Sequence, residues 1–558
     1  MTPTAEEVQT EEHHWLDRRM ITFYGVMAAI FLSALDQTIV GTALPHIVGD
    51  LHGFDRYTWV TTIYLLSSTA VVPVVGKISE QLGRKRVFLF GISFFLVGSA
   101  ICGAAQSMTQ LIAFRGLQGI GGGILTGMAF AIIADLFSPI ERAKYTGMVT
   151  AVFGFASVIG PLVGGYLTDN VTWRWIFYVN LPIGVVVLVV LFLTFPDMHF
   201  EGEKSRIDYL GALGLSSGAA LLTLGFSLVA IHDWSYAPVY YLLAAGVVVL
   251  VATVWHEART PAAVLPPQLF KSSIFSLAVL VTFIVGVGMF GTIIYVPLFL
   301  QGVVGVKATN SGLLLLPLMA GLMAGSIGGG QVMSRTGRYK IQGTLGFLLM
   351  AAGMYLLTML DASSTQLQVS LDVVVFGLGL GISMSVFNVV SQNAVAARYM
   401  SSSVSAIQFI RQMGGTIGLA VIGSLVNQEL TRQIPRHIPG NVLARVPAGV
   451  RGSLLNPEAL FGGQLSQVIS SVPPQARANL TQILPVIKEG VRVSLADSVH
   501  IAFVIGMVLA LVAATASLFI KEIPLKRMTA AQERAMARAT SEGGAYGALE
   551  VSKVEAQV

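Results

Sequence analysis

Cysteine is all but missing: Cys102 is the one thiol in 558 residues. A lone cysteine closes no intrachain disulfide, so a cross-linked secreted scaffold is excluded, and the apolar run around it marks it as packing. Charge is scarce too. Asp, Glu, Lys and Arg make up 11% of the chain, less than half of the roughly 25% usual in soluble domains. No phosphate-cradling GxxxxGK[ST] loop occurs, which removes ATP as the drive. No His/Cys cluster has metal-ligand spacing and no nucleophile motif is present, so the reading is not an enzyme and no metal or cofactor is expected. His13 and His14 stand together in a polar stretch, MTPTAEEVQTEEHHWLDRRM. That stretch lacks the basic start and small-residue cleavage site of a signal peptide. The net charge of +5 is modest and gives no reason to expect nucleic acid as a partner.

What is present is apolar. Hydrophobic residues are 54% of the chain, and glycine, at 59 residues, suits close helix packing in lipid. Mean hydropathy is +0.73. A spanning helix needs about 20 mostly apolar residues. Fourteen runs qualify: 20–45, 56–76, 87–105, 109–136, 145–168, 174–196, 208–230, 237–256, 272–300, 308–333, 341–360, 367–394, 402–427 and 498–521. Their length and continuity fit helices, not short alternating strands. The fold class is therefore an all-α polytopic membrane protein.

An even number of spans puts both termini on one side. The short loops on one side hold Lys77, Arg84, Lys85, Arg86, Arg142, Lys144, Lys204, Arg206, Arg259, Lys271, Arg335, Arg338, Lys340 and Arg398. Those on the other hold Arg56, Arg174 and Lys307. The positive-inside rule makes both termini cytoplasmic. A long loop, 428–497, falls outside. Leu480, Ile483, Leu484 and Ile487 in it repeat at helical spacing, with Pro485 limiting any helix. A short helix on the outer leaflet is the plain expectation, a lid or docking surface the sharper one.

A repeat organises the chain. GKISEQLGRKR (76–86) aligns with GQVMSRTGRYK (330–340): Gly76 with Gly330, Gly83 with Gly337, Arg84 with Arg338, Arg86 with Lys340. Each copy follows the second helix of its group once helices 7 and 8 are set aside. The expected divisions are a cytoplasmic tail 1–19, a six-helix bundle 20–196, two inserted helices 208–256, a second bundle 272–521 and a tail 522–558. Repeated halves around a central site are a common transporter plan.

These segments resemble known signatures. GKISEQLGRKR is similar to the loop 2–3 motif of the major facilitator superfamily, and LIAFRGLQGIGGG (111–123) to its helix 4 motif. GFASVIGPLVGG (154–165) resembles the helix 5 motif of antiporters. LDQTIVGTALP (35–45) and WRWIFYVNLPIG (173–184) resemble signatures of the 14-helix drug:proton antiporter family. The resemblance implies a major facilitator fold of two six-helix bundles and proton-coupled export by alternating access.

Asp36 is a carboxylate inside an apolar run. At about 1.5 Å per residue it sits roughly 14 Å from one end of helix 1, and Arg115 roughly 9 Å into helix 4 from the same side. Two readings follow: a buried pair that holds the helices, or a carboxylate that takes up and releases a proton, burial favouring its neutral form and Arg115 its charged one. The resemblance implies a role in proton coupling for both. Gly76, Glu80, Gly83, Arg84 and Asp135, with Gly337 and Arg338 of the second copy, are the expected cytoplasmic gate. Ser334 stands where the second copy would carry an acid, so its latch is expected to be weak or absent. Gly154, Gly160, Pro161, Gly164 and Gly165 are expected to pack helix 5 closely. Gln37, Tyr64, Gln118, Tyr295, Asn388, Gln392, Gln408 and Arg411 are polar residues in apolar helices and candidates for a substrate cavity.

The expected function is a proton-driven exporter of hydrophobic or cationic drugs, or alternatively of lipids or other amphiphiles. Its expected setting is the plasma membrane, as a monomer. Small hydrophobic or amphiphilic substrates and membrane lipids are the partners, and the proton gradient is the energy source.

Overall fold

The structure, a computed structural model, describes residues 5–51, 57–196, 208–232, 234–260, 263–305, 316–396, 399–446 and 474–523. Arg56, Lys204, Arg206, Lys307, Arg398, the middle of the 428–497 loop and most of the C-terminal tail lie outside the described residues. Every regular element among them is helical. Lipid offers no partners for backbone N–H and C=O groups, and a helix satisfies them internally.

The long helices are α1 (Ala5–Leu51), α2 (Tyr57–Leu82), α3 (Arg84–Gly103), α4 (Met108–Leu136) and α5 (Pro139–Asn170). Then come α6 (Trp175–Thr194), α7 (Tyr209–His232) and α8 (Ala237–Glu257). The last six are α9 (Ser273–Gly302), α10 (Leu316–Thr336), α11 (Lys340–Thr358), α12 (Gln366–Asn393), α13 (Met400–His437) and α14 (Pro474–Leu518). Among the described residues, thirteen stretches are long and apolar enough to cross a membrane. The remaining helix, α10, spends much of its length on glycine, serine and Gln331. It packs on α12 and α5.

Local signals set the ends. Ser107, Ser272 and Thr365 cap α4, α9 and α12 with side-chain oxygens. Ser138 and Glu141 form a reciprocal capping box at the start of α5. Gly83 (φ 90°) and Gly337 (φ 66°) take left-handed backbone between α2 and α3 and between α10 and α11. A side chain resists that geometry, so these two turns need glycine.

Two large cores form, one mainly from α1–α6 and one mainly from α9–α14, and Ala143 of α5 and Val404 of α13 each join the core of the opposite bundle. The inserted pair α7 and α8 packs together, and α7 rests on both α2 and α13. Ser216 donates to the Ala70 carbonyl at 2.7 Å and Thr223 to the Met413 sulfur at 3.7 Å. The pair thus straddles the line where the bundles meet.

Two boundaries differ from expectation. The first helix begins at Ala5, so the tail expected over 1–19 is largely continuous with it. The loop expected over 428–497 shrinks from both sides, because α13 reaches His437 and α14 starts at Pro474. Leu480, Ile483 and Ile487 are buried in the second core, and Pro485 lies inside α14. The amphipathic stripe therefore packs on protein, in the core to which α13 also contributes, and is not a separate helix on a lipid surface.

Candidate functional site

A buried polar cluster sits inside the first bundle. Arg115 Nη1 donates to Asp36 Oδ2 at 2.5 Å, and both side chains are essentially inaccessible. Gln118 Nε2 donates to the other carboxylate oxygen at 2.8 Å, and Asn180 Nδ2 does so at 3.2 Å. Arg115 also donates to Gln118 Oε1 at 2.8 Å and to the Val60 carbonyl at 3.3 Å. Its guanidinium lies 4.2 Å over the Tyr64 ring. Tyr64 and Ser33 share a hydroxyl contact of 3.2 Å. Cys102 donates from its sulfur to Gln118 at 3.6 Å. Buried charge is tolerable where it is paired and its remaining lone pairs are bonded, as here. Together these bonds tie α1, α4 and α6 at one buried point.

Local sequence explains how the cluster is assembled. Arg115 and Gln118 are one turn apart on α4 and so share a face. Asn180 begins the main part of α6, after the turn Trp175–Tyr178. That turn is anchored by Trp173 Nε1 and Arg174 Nη1, which donate to Asp50 Oδ2 at 2.8 and 2.7 Å. Asn180 also donates to Ser99 Oγ at 3.0 Å. Asn180 lies within the segment WRWIFYVNLPIG, where the sequence assigns it no role of its own. An amide within an apolar signature was the available signal.

The second group lies at the face where α2 ends, α3 begins and α4 ends. Arg84 Nε donates to Asp135 Oδ2 at 2.9 Å, and Arg84 also bonds Ser79 Oγ and the Gly76 carbonyl. This ion pair joins α3 to α4 within one bundle. Glu80 stands apart from it, 3.7 Å from Lys77. Across the bundles, Arg142 Nη1 donates to Gln392 Oε1 at 2.9 Å. Ala134 packs on Met400 nearby. Deeper in, Thr69 donates to Gln412 at 2.8 Å, and Val72 packs with Phe409 and Met413.

Glycines make the seam between α5 and α10. A methyl group at Gly147 would lie 2.3 Å from the Ser326 carbonyl oxygen, and one at Gly330 as close to that of Ala143. Gly154 faces Met323 of α10, and Gly160 faces Thr38 of α1. Gly164 is buried within α5, its carbonyl accepting from Thr168 at 2.6 Å, one turn beyond the internal Pro161. Gly165 has open space around it, so the packing expected there is absent.

The second bundle holds its polar residues differently. Arg338 is exposed, while Gly337 makes the turn. Arg411 donates to Gln408 Oε1, and among the described residues no carboxylate reaches it. Asn388 donates to the Met384 carbonyl at 2.8 Å and lines a small cavity beside Arg411. Tyr295 is buried in the second core. Of the eight cavity candidates, Tyr64 and Gln118 thus belong to the Asp36 cluster, with half-buried Gln37 next along α1. Gln392 belongs to the bundle contact, and Asn388, Gln408 and Arg411 group together.

The comparisons agree with this architecture. The crystal structure of the human organic anion transporter MFSD10 (TETRAN) superposes with a TM-score of 0.57 at 13% identity, over 88% of this chain and 99% of that one. The proton:xylose symporter XylE gives a TM-score of 0.56 at 11% identity, over 91% and 96%. At these identities the likeness is one of fold. In sequence, the multidrug transporter protein MdtP of Bacillus subtilis (strain 168) is 36% identical over 532 residues, 93% of this chain and 96% of the relative. Multidrug resistance protein 3 of the same organism is 33% identical over 473 residues, 84% and 90%. The family model for the Major Facilitator Superfamily matches residues 26–419. With its paired six-helix bundles and repeated loop, this multi-pass membrane chain belongs to the major facilitator superfamily of transporters.

Proposed function

We propose that the chain is a proton-coupled exporter of hydrophobic and cationic drugs that works by alternating access. The observation that carries the reading is the buried Asp36–Arg115 pair with its amide partners. An intramembrane acid is costly and is a functional group by default. In the proposed cycle a proton from outside neutralises Asp36, weakens its hold on Arg115, and leaves on the inner side after the bundles rock. Substrate moves outward in exchange. The relatives named as multidrug transporters support the drug class.

In this reading the face with both termini is cytoplasmic, in line with its basic loops, and the protein acts as a monomer in the plasma membrane. The bundle contacts Arg142–Gln392, Ala134–Met400 and Gly147–Ser326 then form the closed inner gate of an outward-facing state. The inserted pair α7 and α8 braces that gate from the side. No cofactor enters the cycle; the gradient supplies the energy.

The test is efflux of a cationic dye from proteoliposomes with an imposed pH gradient. Wild type moves dye and Asp36→Asn does not, although the variant folds and binds dye. Equal movement by both would assign Asp36 a purely structural role. A second reading, export of lipids or other amphiphiles, is favoured by one observation: among the described residues Arg411 has no acidic partner. Export of a labelled lipid with no dye movement would put that reading first.

A further inference from the structure

We propose that Lys521, Glu522 and Ile523, just beyond α14, form a clasp that positions Gln392 for the inner gate, with Tyr339 and Asn393 as its anchor points. The proposal deepens the export reading and rests on it for the identity of the gate. Tyr339 stands just before α11 and is 2% exposed. A buried phenol needs partners for its hydroxyl. They come from the far end of the chain. The hydroxyl donates to the Lys521 carbonyl at 2.9 Å and accepts from the Ile523 amide at 2.7 Å. Between them, Glu522 Oε1 accepts from the Tyr339 amide at 3.1 Å. A carboxylate thus sits at the start of α11, where Tyr339 itself offers no side-chain cap. The Ile523 carbonyl then accepts from Asn393 Nδ2 at 3.4 Å. Asn393 is the last residue of α12. Three consecutive residues therefore join the start of α11 to the end of α12.

The end of α12 is where the bundles touch. Gln392 precedes Asn393 in that last turn and accepts from Arg142 of α5. The last turn of a helix frays unless something holds it. Here it is held on two sides. Ser403 of α13 donates to the Ser391 carbonyl at 3.0 Å, and Asn393 reaches Ile523. Ser391, Gln392 and Asn393 are consecutive, so the acceptor of the gate sits between one anchor inside the bundle and one from the tail. The tail anchor is itself well placed. Ile520 is buried, and the hydroxyls of Ser517 on α14 and Thr344 on α11 meet at 2.8 Å, which delivers the clasp alongside α11. Releasing it strips the Tyr339 hydroxyl of both partners and frees the turn that carries Gln392. A looser turn favours the state in which the inner gate is open. The first copy of the loop works differently, because Arg84 closes on Asp135 within its own bundle.

Access to the gate, measured on the full chain in nanodiscs without any gradient, tests this. A cysteine introduced at Ala134, which packs on Met400 in the closed gate, is labelled with a water-borne maleimide. Native Cys102 is buried and stays silent. Tyr339→Phe is expected to speed labelling about five-fold and Asn393→Ala about two-fold, within the range of a lost hydrogen bond. Glu522→Gln keeps the acceptor oxygen and is expected to label like wild type, while Glu522→Ala labels faster. Gln392→Ala also speeds labelling, and adding Tyr339→Phe or Asn393→Ala to it brings no further gain, because the clasp acts through Gln392. A purely structural role would multiply the two effects. Asn393→Ala changes a half-buried position and carries the test if Tyr339→Phe fails to fold. Unchanged labelling in the clasp variants, or multiplied effects in the double variants, overturns the proposal. Faster labelling in Gln392→Ala alone keeps the gate and removes the clasp. A dye assay in which Asp36→Asn is fully active removes proton coupling and leaves the clasp standing, so the two failures are distinguishable.

Discussion

The two copies of the repeated loop share a backbone and differ in what they hold. Both turn on a left-handed glycine, Gly83 in one and Gly337 in the other. After Gly83, Arg84 is buried and paired with Asp135 on α4. After Gly337, Arg338 is exposed, and the buried residue is its neighbour Tyr339. Tyr339 donates its hydroxyl to the Lys521 carbonyl at 2.9 Å and accepts from the Ile523 amide at 2.7 Å. Asp135 is the penultimate residue of α4, and the penultimate residue of α12 is Gln392. Where the first bundle has an acid that closes on its own arginine, the second has an amide that receives Arg142 from across the interface. Duplicated geometry has thus been divided: one copy ties a bundle to itself, the other leaves an acceptor free to tie the bundles together.

The deep acids offer the widest test of that division. Asp36→Asn is expected to reduce gradient-driven efflux to the level of empty liposomes. Asp372→Asn, in the second bundle near the start of α12, should change it by no more than about two-fold. Equal losses would mean that coupling is shared between the bundles. Next in size is Arg84→Ala, which strands a buried Asp135 and should cost about 3–5 kcal/mol. Arg338→Ala should stay within about 0.5 kcal/mol, as exposed positions do. Thermal loss of monodisperse protein reads both, and similar midpoints would erase the contrast between the loops.

The seam comes next. Gly147→Ala forces a methyl against the Ser326 carbonyl and should cost about 1–3 kcal/mol, whereas Gly165→Ala meets open space and should be silent. The same melting assay compares them, and a silent Gly147→Ala would mean that α5 and α10 can separate freely. The smallest effect is that of Gln392→Ala, which removes an acceptor from Arg142 for a loss of about 1 kcal/mol. It should speed labelling of a cysteine introduced at Ala134 several-fold. An unchanged rate would show that packing alone holds that contact.

Much of this was legible along the chain. Apolar runs of spanning length gave the helices, and a carboxylate in such a run singled out Asp36. The aligned arginines were visible as well, but not that one is buried and the other exposed; the missing acid at Ser334 was the clue. Pairings between distant residues were not legible. Arg142 and Gln392 are 250 positions apart, and spacing carries no information about which helices touch. The extent of α14 is not legible because Pro485, which lies inside the helix, reads as a stop. The buried stripe of Leu480, Ile483 and Ile487 runs on through Val491, Leu495 and Val499 at helical spacing, which points to one helix.

Cys102, noted first for its solitude, has a practical consequence. Its sulfur is wholly buried and engaged with Gln118, beyond reach of water-borne maleimides. The natural chain is therefore already a silent background for thiol chemistry. One introduced cysteine would be the single reactive handle, and two would report a distance. A pair of spin labels, one at exposed Arg86 and one at exposed Arg338, would follow the separation of the two loops directly, with no native cysteine replaced beforehand.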